Sequence, residues 1–241
     1  MIASDQPRIF GSNVIAAVSS ADDGNMSFGR GEADEVFGDR LAFLHAAGIQ
    51  PEQATLVQIS YQDAEHFARY TIVNDDHKGE GIFAPKSSTI ADALVTTQPG
   101  HALFLPIADC TGVILYDAAK HVLMVSHIGR HSAEIEGAKK SVQYLVDNFQ
   151  TSPADVQVWL SPAAGKTNYP LHNMQDKGLH EVITEQLLVA GVLEENIEAS
   201  DVDTTTDVDY FSHSQFLAGM RETDGRFAIV AMMDTQGEPA L

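Results

Sequence analysis

Between Ala93 and Val125 short apolar runs alternate with turn residues: Ala93–Thr96, His101–Ile107, Val113–Tyr116 and Val122–Val125, separated by Gln98-Pro99-Gly100, Asp109-Cys110 and Asp117–Lys120. Runs this short, bounded by such residues, predict strands rather than helices. The last two read as a hairpin turning at Asp117–Lys120. This spacing places the only cysteine, Cys110, just past the apolar stretch 102–108, and His127 lies 17 positions later at the end of the run Val122–Val125. If those strands are neighbours, thiol and imidazole meet. Such a pair is either a cysteine nucleophile with its base or half of a zinc site.

The rest of the chain alternates helical and extended patterns. Val14–Ser19, Thr55–Ile59, Phe67–Val73, Val156–Leu160, Ile197–Ala199 and Phe227–Met232 read as strands, and Asn74–Ser88 reads as a loop. Helical spacing of Val36, Arg40, Leu41, Leu44 and Ala47 predicts a helix over 34–47, stopped by Gly48. Ser132 is the expected N-cap of a helix carrying Ile135, Ala138, Val142, Leu145 and Phe149, with Glu136 spaced to pair with Lys140. Leu179, Val182, Ile183, Leu187 and Ala190 mark a third helix, ended by Gly191. Strands outnumber helices, and hairpins mix with crossovers. The expected fold is therefore α+β: one domain over residues 1–241, with a mixed β-sheet and flanking helices.

The net charge of −20, from 14 basic and 34 acidic residues, disfavours phosphate backbones and anionic lipid as partners. No apolar run approaches the ~20 residues that span a bilayer. Met1–Arg8 has no signal-like apolar core. A lone cysteine forms no internal disulfide, so a reduced, cytoplasmic protein is expected.

Asp109 beside Cys110 opposes a low thiol pKa. His131, four residues after His127, would share its face on a helix, but Gly129 lies between them. Arg40 on an apolar helix face needs a partner, either a core carboxylate or an anionic substrate. Ser161-Pro-Ala-Ala-Gly165 follows a strand, and the backbone N–H groups of such a loop can bind anions.

Several segments, in order, resemble the YfiH-like family of laccase-domain (multicopper polyphenol oxidase) proteins, whose members are associated with purine nucleoside phosphorolysis and deamination. Asp92-Ala-Leu-Val-Thr…Pro99-Gly100, Ala108-Asp-Cys110, Ser126-His-Ile-Gly129, Ser161–Gly165, Phe211-Ser212 and Gly225-Arg226 are similar to its motifs, and Asp39-Arg40 looks like its Asn-Arg. The family's site is a His-Cys-His triad. Here Cys110 and His127 keep two positions, while Gln58-Ile-Ser-Tyr61 puts Ser60 where the first His belongs. The family's Trp and Arg after the second His become Arg130 and His131, its Cys-bearing loop becomes Lys166-Thr-Asn168, and its late Cys-Thr becomes Asp203-Thr204.

The resemblance implies a YfiH-like, cysteine-hydrolase-like fold. It also implies a purine nucleoside phosphorylase- or deaminase-type enzyme acting on adenosine- or inosine-like nucleosides. Cys110, His127 and Ser60 would be the catalytic residues, with Arg40, Arg130, His131 and Gly165 around substrate or phosphate. Zinc on Cys110 and His127 is expected to be weak or absent, because serine is a poor substitute for an imidazole ligand; His66 or His131 could rescue it. Copper is not expected, since the ten histidines are scattered. Two alternatives stay open: a Cys/His amidase or deamidase, and a non-catalytic descendant that binds a ligand or a protein. The partners expected are a small-molecule nucleoside or phosphate, with the chain a monomer or small homo-oligomer.

Overall fold

In the computed structural model, residues 5–61, 68–84, 87 and 89–235 are described. Among these residues ten strands form two sheets. The four-stranded sheet has the order β1 (Val14–Val18), β10 (Phe227–Met233), β5 (Ala102–Ile107), β2 (Ala54–Leu56). The six-stranded sheet runs β3 (Tyr70–Ile72), β4 (Ala93–Thr96), β7 (Val122–Ile128), β6 (Thr111–Asp117), β8 (Val156–Leu160), β9 (Ile197–Ala199). Both are mixed: β2 runs parallel to β5, while β10 is antiparallel to β5 and β1. In the larger sheet the outer pairs β3–β4 and β8–β9 are parallel and the inner pairs antiparallel.

Side-chain alternation along the strands divides the core into three layers. Leu103, Leu105, Ile229 and Ala231 meet Leu94, Ile114, Leu123, Val125 and Trp159 between the sheets. The intervening residues Phe104, Ala228 and Val230 turn outward onto Phe43 and Leu44 of α1 (Ala33–Ala46). Val113, Leu115, Met124 and Val158 turn the other way, onto Val142 and Leu145 of α3 (Gly137–Phe149) and Val182, Ile183 and Leu187 of α4 (Leu179–Val189). The order is helix, sheet, sheet, helices. Both faces of each sheet are covered, which is why the inner strands read as unbroken apolar runs.

The α+β reading and the β6–β7 hairpin hold. The single mixed sheet is replaced by two, because β4 and β5, which flank Gln98-Pro99-Gly100, belong to different sheets. The strand expected over 55–59 ends at Leu56, and Gln58 makes only an isolated bridge to Ile90. That expected over 67–73 narrows to Tyr70–Ile72, and Phe67 lies outside the described residues.

Ser132 is not an N-cap. A short helix, α2 (Arg130–Glu134), begins one residue after Gly129, and Ser132 accepts a hydrogen bond from the Gly129 amide at 3.1 Å from inside the first turn. The chain breaks at Glu136, which takes a left-handed φ of 61° before α3 starts. That break turns Glu136 toward Lys139, at 2.9 Å, instead of Lys140.

Candidate active site

Three connections converge where the two sheets meet. The segment Ala108-Asp109-Cys110 carries the chain from β5 in one sheet directly to β6 in the other. β7 ends at Ile128 and passes through Gly129 into α2. The chain after β2 runs alongside as Val57–Tyr61. Together with α5 (His213–Leu217) and Arg226, these line a cleft of about 820 Å³.

Cys110 sits on this cleft because the turn before it is rigidly held. Asp109 takes a left-handed φ of 67°, which a non-glycine residue keeps only when its surroundings impose it. Its carboxylate accepts from Thr204 Oγ1 at 2.9 Å and from the Ser214 amide at 2.6 Å, and its carbonyl accepts from the Ala164 amide at 2.8 Å. Three distant segments thus lock one residue, and the next side chain, Cys110, faces the cleft.

Hairpin register brings His127 opposite Gly112, two residues after Cys110. Thiol and imidazole converge on Gly129: a methyl group on its α-carbon would lie 2.7 Å from Cys110 Sγ and 3.5 Å from His127 Cε1. Burial pushes the Cys110 thiol up to about 12, with the Asp109 charge adding to it. Burial holds the His127 imidazole down at about 4. The pair is therefore a neutral thiol beside a neutral imidazole near pH 7, not a preformed thiolate–imidazolium. This opposes a ready cysteine nucleophile of amidase or deamidase type. His127 Nδ1 is buried without a hydrogen-bond partner among the described residues.

Among the described residues the donor set does not fit a zinc site with three protein ligands. Among the described residues no group of three His, Cys, Asp or Glu side chains could hold a metal. Ser60 is not part of the cleft lining; Tyr61 takes that wall, its ring edge-on to His127 at 6.4 Å between centroids. His131 lines the cleft but faces Glu134, with its side chain half exposed. It cannot share a helical face with His127, which lies in a strand. His66 lies outside the described residues.

The anion-binding expectations divide. Arg40 borders the cleft, but its guanidinium is taken up by main chain. Nε donates to the Met26 carbonyl at 2.9 Å, Nη1 donates to the Gly81 carbonyl at 2.7 Å, and the group lies over the Phe28 ring at 4.4 Å. Burial lowers its pKa to about 10. Among the described residues it pairs with no core carboxylate; it staples α1 to two loops. Gly165 likewise points elsewhere: its amide donates to Asp203 Oδ1 at 2.8 Å, and a Cβ there would strike that carboxylate. Arg130, by contrast, is exposed on the cleft and has no ion-pair or hydrogen-bond partner among the described residues.

Sequence reading overlooked a second cationic group on the same cleft. Asp224 gathers Arg226 Nη1 at 2.7 Å and His213 Nδ1 at 2.8 Å on Oδ1. Arg30 Nη1 stands 2.7 Å from Oδ2, a charge contact not aligned as a hydrogen bond. Two guanidiniums and an imidazole around one carboxylate leave net positive charge, and all three side chains line the cleft. Also overlooked was Arg69, which donates to Asp92 through Nε at 2.8 Å and Nη2 at 3.1 Å and to the Ser60 carbonyl at 2.8 Å. The Asp92 carbonyl in turn accepts from the His127 amide at 2.8 Å. Arg69 thus ties the Ser60–Tyr61 segment to the strand bearing His127. No local pattern marks Arg30, Arg69 or Asp224, because their partners are distant in sequence.

Comparison with known proteins agrees with this fold. The Geobacillus stearothermophilus protein YlmD superposes with a TM-score of 0.83 at 18% identity, over 97% of this chain and 98% of its own. The Bacillus licheniformis hypothetical protein YfiH superposes at 0.82 and 20% identity, over 92% and 93%. A purine nucleoside phosphorylase of Corynebacterium glutamicum is 28% identical over 122 residues, 51% of this chain and 45% of its own length. One of Clostridium acetobutylicum is 30% identical over 71 residues, 30% of each chain. The matches thus span less than half the length of these curated relatives. The family model for multi-copper polyphenol oxidoreductase laccase matches residues 15–177, a stretch that carries β2 to β8, Cys110 and His127, and to this YfiH-like laccase-domain family the chain belongs.

Proposed function

We propose that this cleft binds a purine nucleoside with inorganic phosphate and cleaves the glycosidic bond by phosphorolysis. A phosphate oxygen bonds to C1′ of the ribose, the C1′–N bond breaks, and the departing base takes up a proton. The observation that carries the reading is electrostatic. A chain of net charge −20 gathers Arg30, Arg130 and Arg226 on one cleft, beside the Cys110/His127 pair and two tyrosines, Tyr61 and Tyr169. Guanidiniums there offer forked donors to phosphate oxygens, and aromatic faces suit a purine ring. The similarity to proteins named purine nucleoside phosphorylase supports the same chemistry.

The test is incubation of adenosine, inosine and methylthioadenosine with the purified protein, with and without phosphate, and quantification of free base and ribose 1-phosphate. Phosphate-dependent release of base is expected. No consumption at high protein concentration overturns the reading. Ligand-induced thermal stabilisation without turnover would then favour a non-catalytic binding descendant.

A further inference from the structure

We propose that His213, oriented by Asp224, is the group that exchanges a proton with the ligand in this cleft, with Nε2 as the working atom. The proposal rests on the reading that the cleft holds a nucleoside and phosphate.

The geometry is that of a carboxylate-anchored imidazole. His213 Nδ1 lies 2.8 Å from Asp224 Oδ1. Asp224 stays ionised: burial alone would raise its carboxyl, but hydrogen bonds from Arg226 and His213 outweigh that and hold it below the ordinary value. An ionised carboxylate can only accept, so Nδ1 carries a proton, and in the neutral ring Nε2 holds the lone pair. Nε2 has no hydrogen-bond partner among the described residues, and the ring lines the cleft.

The ring is also placed relative to Cys110. The next residue, Ser214, donates its amide to Asp109 Oδ2 at 2.6 Å, and Ser212 Oγ caps the turn by accepting from the Gln215 amide at 3.3 Å. The wall that carries His213 is therefore fixed to the turn that carries Cys110. The ring faces the Asp224 carboxylate, which Arg226 and Arg30 share, and Asp109 is bonded to the next residue, Ser214. His127 is poorly suited to the same task, being buried and neutral.

In phosphorolysis the electron pair of the C1′–N bond leaves with the base, and protonated Nε2 gives that base its proton. A dihydrogen phosphate ion entering the cleft reprotonates Nε2 and becomes the attacking dianion, so protons and charge balance over the cycle.

The test combines kinetics with imidazole nitrogen NMR on the full chain. His213→Gln is expected to lower kcat about 100-fold or more, with KM changed less than about threefold, and to remove one limb of the kcat–pH profile. In the wild type the His213 ring is expected as the Nδ1–H tautomer, with Nε2 shifting when inorganic phosphate is added. Asp224→Asn should abolish the tautomer preference. An unchanged kcat in His213→Gln, an Nε2–H tautomer, or an Nε2 resonance indifferent to phosphate would each overturn the proposal. If the wild type consumes no nucleoside, the phosphorolysis reading falls, and the assignment of His213 stands or falls on the tautomer and the phosphate response.

Discussion

Cys110 Sγ stands against the bare α-carbon of Gly129, where a methyl group would come within 2.7 Å of the sulfur. Real contacts to a side-chain carbon are not that short, so this glycine is required by close approach and not by its own dihedral angles. The turn bearing the thiol and the strand end bearing the imidazole are packed through a position that has no side chain.

Gly129→Ala is therefore expected to push Cys110 out of place. Overpacking of this kind costs about 1–3 kcal/mol, read as a lowered thermal midpoint. The double variant Gly129→Ala/Cys110→Ala should recover part of the loss, since it removes the colliding sulfur. Purely additive losses would show that the two residues do not press on each other.

The Cys110 thiol should react sluggishly. With its pKa pushed up to about 12, the rate of iodoacetamide labelling of the native protein should climb roughly tenfold per pH unit from pH 7 to pH 10, because only the thiolate attacks. A rate already level by pH 8 would mean that a thiolate is stabilised in the cleft and would revive the nucleophile reading.

Stability should fall with acid through His127. Its folded pKa of about 4 lies below its ordinary 6.5, so the unfolded chain binds the proton first. The contribution is full above pH 6.5 and is lost as pH falls toward 4, to a limit of about 3 kcal/mol. His101, also buried and held at about 4, acts in the same direction. Urea unfolding at several pH values should show His127→Gln with a flatter fall between pH 6.5 and 4 than the wild type. Identical slopes would place the acid sensitivity elsewhere.

Asp92→Asn should loosen the site from behind. Asp92 is almost fully buried, and its carboxylate carries the Arg69 guanidinium. Removing one member of such a pair leaves an uncompensated charge, costing about 3 kcal/mol. The Ser60–Tyr61 segment, held through Arg69, should lose protection in hydrogen exchange as well. A stability change below about 0.5 kcal/mol would show that water replaces the pairing.

Zinc should be retained at well below one equivalent after dialysis against a mild chelator, because two donors bind it far less tightly than three or four. One full equivalent, lost in Cys110→Ala, would show that a further donor completes the site.

The amino-acid sequence by itself determined the elements that local patterning governs. Apolar runs closed by Asp117–Lys120 defined the β6–β7 hairpin, and that hairpin register put His127 within reach of the turn after β5. Motif order was enough to indicate the family. Tertiary structure decided what depends on partners far along the chain. The two-sheet layering was hidden because both faces of each strand are apolar, so alternation carried no signal about which face met which layer. Arg40 and Gly165 read as anion ligands, but Nε and Nη1 of Arg40 and the Gly165 amide bond to Met26, Gly81 and Asp203, residues that only folding brings near. The Arg30–Asp224–Arg226–His213 cluster joins residues from 30 to 226 around one carboxylate. A charge becomes a binding or catalytic group through the neighbours that leave it unsatisfied, and those neighbours are set by the packing of layers rather than by adjacent residues.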